Sequence, residues 1–163
     1  MKAHHVSILV VMGCAIVVLN AVGLKASDRV GIYAIVEKVV VEPSEAAPER
    51  IQIWGVFALA DANHGDNYFA PQRGYLYYSL PSTRVAGQRL NALNEWADLK
   101  SVAGKGEAVG FGGRYLVTGR VRKETETPDS PDVFPVQMGI VKIVNPRVQP
   151  AIFTQLREAL RSR

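Results

Sequence analysis

The segment from Ile51 to Ala60 constrains the fold more than any other stretch, because it is apolar on both of its alternating faces. Successive side chains of an extended strand point to opposite sides of a sheet, so positions of the same parity share a face. One face carries Ile51, Ile53, Phe57 and Leu59, and the other carries Trp54, Val56 and Ala58. Such a strand has to be covered on both sides, or it has to pass through a closed barrel.

Strand and helix patterns along the rest of the chain predict a mainly β domain of the α+β class. Further strands are predicted at residues 30–42, 73–80, 107–120 and 136–144, with a break at residues 43–48 and an exposed loop at residues 125–135. A helix is predicted from Val85 to Val102, with Leu90, Leu93, Ala97 and Leu99 near helical spacing and Gly104 as its stop signal. A C-terminal helix is predicted from about Ala151, with Ile152, Leu156 and Leu160 as its apolar stripe.

The order of three strands, a helix and two further strands resembles that of an OB-fold, a small β-barrel with a helix between its third and fourth strands. The resemblance covers residues 30–144 and consists of element order alone. An antiparallel curved or open sheet packed by one or two helices fits the same order. Because OB-like barrels hold nucleic acids, sugars or proteins, the resemblance does not assign a function.

The first 26 residues have the order of a secretory signal of the bacterial type. Lys2 precedes an apolar stretch from Ile8 to Leu19, and small residues follow at Ala21 and Gly23. We therefore predict an exported protein, periplasmic or secreted, with residues 27–163 forming a single domain. The alternative is an uncleaved membrane anchor, because residues 6–24 approach the ~20 residues that span a bilayer.

Cys14 is the only cysteine, so an intramolecular disulfide is excluded. The three residues before it partly resemble a lipoprotein box, but apolar sequence continues beyond Cys14, where a lipoprotein turns polar. Net charge argues against nucleic acid as a partner. The formal charge of +4 includes Lys2 and Lys25, and the remaining seventeen Lys and Arg face fifteen Asp and Glu.

The stretch DANHGDN at residues 61–67 offers oxygen ligands for a metal ion at Asp61, Asn63 and Asp66. These are the hard ligands that Ca²⁺ requires, although the spacing does not match an EF-hand loop. A plain turn between two strands is the alternative, because Asp, Asn and Gly favour turns. A further hypothesis is that the same loop is a hydrolase site. In that case His64 is the general base, and Asp61 or Asp66 orients it.

Aromatic residues are concentrated on the second and third predicted strands and on the loop between them. If Tyr75 and Tyr77 face solvent together with Tyr68, they form a platform for a sugar or a peptide, assisted by Arg73. Trp54 and Tyr78 are predicted to lie in the core. No nucleophile motif accompanies these residues, so the sequence favours a non-enzymatic binding or structural module of the cell envelope over an envelope hydrolase. An envelope protein, a peptide or a glycan is the expected partner. No cofactor is expected, except a Ca²⁺ ion if Asp61, Asn63 and Asp66 bind a metal.

We expect the protein recovered from expressing cells to have the mass of a chain that starts at Leu24 or Ser27, because cleavage follows small residues in a signal of this order. Cell fractionation with intact mass spectrometry measures this. Full-length mass in the membrane fraction would make residues 6–24 an anchor, and a lipid-sized increment on Cys14 would indicate a lipoprotein. Recovery from the cytoplasm would overturn the export interpretation.

Overall fold

Eight helices and strands make up the described part of the chain. The computed structural model describes residues 30–61, 67–112, 119–134, 139–141 and 150–162. The elements are β1 (Val30–Ser44), β2 (Ala47–Leu59), β3 (Gln72–Ser79), α1 (Ala86–Val102), β4 (Ala108–Gly112), β5 (Asp132–Val133), β6 (Gly139–Val141) and α2 (Pro150–Arg161). The strands form one sheet in the order β5-β3-β2-β1-β4-β6, and only the β3–β5 pair is parallel.

The sheet is built around a long hairpin of β1 and β2, which pair from Ile32 opposite Leu59 to Ser44 opposite Ala47. The predicted break at residues 43–48 is narrower than expected, because only a tight turn at Glu45 and Ala46 separates the two strands. Pro43 and Pro48 lie opposite each other within the ladder, where the register shifts. Proline is tolerated at such an irregularity, since regular pairing is already interrupted there.

Both faces of the hairpin are buried, as the alternation in the second strand predicts. One cluster contains Ile51, Ile53 and Phe57 and includes residues of α1. The other contains Val56 and Ala58 and includes residues of α2. One helix therefore contributes to the apolar cluster on each side of the sheet, and each cluster removes apolar side chains from water.

The two helices occur where the sequence predicts them. In α1 the side chains that face the sheet are Ala92 and Leu99, with Trp96 partly buried between them, whereas Leu90 is 60% exposed. The buried face of α1 is thus rotated relative to the predicted apolar stripe, because the buried positions follow the i, i+4, i+7 spacing from Ala92 rather than from Leu90. In α2, Phe153 and Leu156 are the most buried side chains.

The sheet is mainly antiparallel and has two ends, at β5 and β6, so the described strands do not close into a barrel. The predicted α+β fold class is confirmed. Of the two strands predicted at residues 107–120 and 136–144, the described ranges contain β4 at Ala108–Gly112 and β6 at Gly139–Val141. Residues 113–118, 135–138 and 142–149 lie outside the described ranges. The predicted loop at 125–135 contains β5, and Phe134 beside it is buried.

A β-bulge at Glu37 sets the geometry of the hairpin. Val36 pairs with Gly55 and Lys38 pairs with Trp54, so Glu37 is the extra residue in β1. The backbone of β1 comes very close to Gly55: a Cβ at this position would lie 2.1 Å from the carbonyl oxygen of Ile35. Only glycine permits this approach without a shift of the backbone.

We expect Gly55→Ala to lower the free energy of unfolding by roughly 2 kcal/mol or more, because its methyl group would meet a backbone oxygen rather than a movable side chain. Gly87→Ala in the first turn of α1 is the matched control, since no atom lies within 4 Å of an added Cβ there. That change should leave stability unchanged or raise it by up to about 1 kcal/mol. Urea denaturation of both variants measures the difference, and equal midpoints would contradict the close approach at Gly55.

Candidate functional site

Residues 119–134, here called the strap, run along the outer edge of β3. The strap is joined to β3 through β5 and also at an isolated bridge, where the amide of Tyr75 donates to the carbonyl of Arg122 at 2.9 Å and the amide of Arg122 donates to the carbonyl of Tyr75 at 2.8 Å. Gly74 allows this approach, because its φ is 155° and a Cβ would lie 1.8 Å from the carbonyl oxygen of Arg122. A side chain at Gly74 would push the strap away from the sheet.

The side chain of Arg122 is only 2% exposed and holds the strap in its folded form. Its Nε donates to Asp129 Oδ1 at 3.1 Å, one Nη donates to Asp132 Oδ2 at 3.1 Å, and the other donates to the carbonyl of Ser130 at 3.0 Å. The guanidinium carbon lies 5.6 Å from the centre of the Tyr77 ring. A buried guanidinium requires such partners, and here three residues of one loop provide them.

The strap explains why the predicted platform does not face solvent. Tyr75 is 0% exposed and Tyr77 is 3% exposed, so the expectation that these two rings are open to water is wrong. The hydroxyl of Tyr75 donates to the carbonyl of Glu126 at 3.0 Å, and that of Tyr77 donates to Glu42 Oε2 at 3.2 Å. Burial raises the pKa of both phenols. Whether they contact a ligand stays a prediction.

The other two predicted binding residues are separated and engaged within the fold. Tyr68 is half-buried, donates its hydroxyl to the carbonyl of Val30 at 2.7 Å and packs edge-on against Tyr33 at 4.9 Å. It therefore belongs to the cluster that includes α2. Arg73 is surrounded by acceptors, and its donors are used within the fold. The structure thus does not bring the four residues together as one surface.

Arg73 joins three elements at the edge of a cleft. Its Nε donates to Glu124 Oε1 at 2.8 Å, one Nη donates to both oxygens of Glu37 at 2.8 and 2.9 Å, and the other donates to the carbonyl of Leu160 at 3.2 Å. Desolvation lowers the pKa of Arg73, but its hydrogen bonds to the Glu124 and Glu37 carboxylates raise that pKa overall. The guanidinium therefore ties the strap and the end of α2 to the bulge in β1.

This cleft has a volume of about 740 Å³ and is the candidate binding site. It is lined by Glu37, Lys38, Trp54, Arg73, Glu124 and Ser162. The floor comes from β1 and β2, and the strap and the last turn of α2 provide the walls. The lining thus combines two acidic side chains, two basic side chains and one aromatic ring.

Trp54 is held rigidly at the floor of the cleft. It is half-buried and stacks on Tyr75 with ring centres 4.6 Å apart, and the ammonium of Lys38 lies 4.5 Å from the centre of its ring. Its indole N–H donates to Gln52 Oε1 at 3.0 Å, and the amide of Gln52 donates to Glu42 at 2.8 Å. These contacts fix the ring in one orientation, so little rotamer freedom remains to be lost on binding.

Sequence reasoning missed the main residues of this site. It placed Trp54 in the core and did not single out Glu37, Lys38 or Glu124. One signal for Trp54 was present, because its face of the strand becomes polar on one side, at Arg50 and Gln52. No pattern in the sequence indicated that Glu124 lines the cleft, since its position depends on the path of the strap.

The loop after β2 is only partly described. The backbone amide of Asp61 donates to the carbonyl of Asn67 at 2.9 Å. Asn63, His64 and Asp66 lie outside the described residues, so the Ca²⁺ and hydrolase predictions stay predictions. Within the described ranges, no three His, Cys, Asp or Glu side chains are placed to hold a metal ion.

Comparison with known proteins adds no assignment: no family model, no curated protein and no solved structure matches this chain. Neither helix of the described part is long and apolar enough to cross a membrane. The segment predicted as a signal or an anchor, residues 1–26, lies outside that part.

We expect the strap to lose its protection from hydrogen exchange in acid before the sheet does. The hydrogen bond from Arg122 lowers the pKa of Asp129, and the bond from Arg120 lowers that of Glu126. Groups with a depressed folded-state pKa stabilise the fold at neutral pH, and that contribution is lost as the pH falls below about 4. Protection factors of strap and sheet amides, measured from neutral pH to about pH 3, test this.

Asp129→Asn is the matched variant for this measurement. It keeps the shape of the side chain but removes its charge, so the strap should be less protected at neutral pH and less sensitive to acid. Strap protection that stays constant until the whole sheet unfolds would contradict the role of these carboxylates.

Proposed function

We propose that this protein is an exported, non-enzymatic binding module of the cell envelope, and that its ligand occupies the cleft at Trp54. The observation that carries the proposal is a half-buried tryptophan, held between Lys38 and Tyr75, at the floor of a cleft with charged walls. Tryptophan is among the residues that contribute most to binding energy at protein interfaces, especially where its orientation is fixed in advance.

The chemistry of the cleft favours a peptide segment of an envelope protein as the ligand. A sugar ring stacks on an open aromatic face, but Tyr75 and Lys38 flank the Trp54 ring from the strands on either side. The ring edge and the charged rim remain accessible. The Lys38 side chain is exposed, and Glu124 is 49% exposed, so both signs of charge are available to a peptide.

We also propose that the protein is exported and that its sheet has an OB-like arrangement. The apolar stretch from Ile8 to Leu19 supports export, and the element order of three strands, a helix and further strands supports an OB-like arrangement. Closure of such a barrel would require β5 and β6, the two outer strands, to be connected by further pairing. Peptide binding at the cleft does not depend on this closure.

We expect Trp54→Ala to weaken peptide binding by roughly tenfold or more, because the variant removes the anchoring ring of the cleft. Peptides from a digested envelope extract are captured on the immobilised protein, identified by mass spectrometry, synthesised and titrated. Lys38→Gln, which keeps most of the side-chain length, should weaken acidic peptides selectively.

Trp96→Phe is the control, because Trp96 lies in α1 and packs on the opposite side of the sheet. It should bind as the unmodified protein does. Circular dichroism of each variant separates lost binding from lost folding. If Trp54→Ala bound peptide as tightly as the unmodified protein, the proposed site would be refuted. If the protein has an envelope hydrolase activity that is lost when Asp61, His64 and Asp66 are replaced with alanine, the enzyme hypothesis would be favoured instead.

A further inference from the structure

The second half of β1 has an open edge within the described structure. β1 pairs with β2 through Ser44, but it pairs with β4 only from Val30 to Ile35. On the β4 side, the amide of Gly104 donates to the carbonyl of Val36. No residue of the described ranges pairs with β1 beyond that point on this side. The open edge therefore spans residues 38–42.

The bulge decides which backbone groups this edge presents. The carbonyl of Gly31 faces β2, since it accepts from Ala60, and the carbonyl of Val36 faces the other way. The N–H and C=O groups of successive residues point to opposite edges of a strand, and the extra residue Glu37 shifts this alternation by one position. Lys38, Val40 and Glu42 consequently hydrogen-bond towards β2, and the peptide groups of Val39 and Val41 point outwards. Two donors and two acceptors are thus available, and Pro43, which has no N–H, ends the set.

We propose that a second copy of this chain pairs with this edge, antiparallel and about a two-fold axis at Val40. In that register Val39 exchanges hydrogen bonds with Val41 of the partner copy, and the reverse pair forms by symmetry. Val40, which is 36% exposed, then lies against its own equivalent. Lys38 lies directly opposite Glu42 of the partner copy, so the sequence KVVVE is complementary to itself in charge.

The same charges act against other partners. Charged side chains, a bulge and a proline are the features by which proteins protect an exposed edge from unspecific pairing. A foreign strand would have to place an acid opposite Lys38 and a base opposite Glu42. The Glu42 carboxylate already accepts hydrogen bonds from Gln52 and Tyr77 and forms an ion pair with Arg50, so its position is fixed before pairing. Because the edge is short, the dimer should be weak and should depend on protein concentration.

Cysteine cross-linking tests the register. Val40→Cys, made in a Cys14→Ser background, should form a disulfide-linked dimer under mild oxidation, because residues on the axis form a closely spaced pair of about 4.5 Å between Cα atoms. Val133→Cys is the control: Val133 is also a valine of an edge strand and is 77% exposed, but it lies away from the axis. Linkage of Val133→Cys to the same extent as Val40→Cys would overturn the proposal.

Charge exchange gives an independent test on the protein as recovered from expressing cells. Lys38→Glu alone and Glu42→Lys alone should each be monomeric in analytical ultracentrifugation up to millimolar concentration, since like charges would face each other across the axis. A mixture of the two variants should form a heterodimer, and so should the double variant with itself. An unmodified protein that stays monomeric over the same range, or single variants that still dimerise, would refute the inference.

Discussion

The buried guanidinium of Arg122 is the interaction on which the arrangement of the site depends. A charge removed from water has to be surrounded by acceptors, and Arg122 obtains three from the strap itself. The strap therefore folds back over β3 and covers Tyr75 and Tyr77. It also positions Glu124 beside Arg73, which creates one wall of the cleft. Without this ion-pair network, the third strand would expose its aromatic residues.

The bulge at Glu37 is the second constraint, and it affects both the cleft and the open edge of β1. By adding one residue, it places Lys38 beside Trp54 and turns Glu37 towards Arg73. The same residue changes which peptide groups point out of the sheet. The cleft proposed to bind a ligand and the proposed dimer edge thus share one irregularity in the backbone, and Gly55 opposite the bulge makes the close strand approach there possible.

The fold was predictable where local pattern and burial agree. The alternation from Ile51 to Leu59 identifies both faces of β2, because a fully covered strand leaves an apolar signal on each parity. The helices and the third strand follow from spacing for the same reason. The hairpin through Pro43 and Pro48 was not predictable, since proline ordinarily marks a break and is accepted here only because the register shifts beside it.

By itself, then, the amino-acid sequence determined the class of the fold, the positions of its main elements and the two apolar faces of its central strand. Each of these depends on residues that are close in the chain. Only the tertiary structure decided which aromatic ring remains accessible: Tyr75 and Tyr77 are covered by a strap more than forty residues later, whereas Trp54 lines the cleft. Contacts between distant segments set the burial of these rings, and no local periodicity records such contacts.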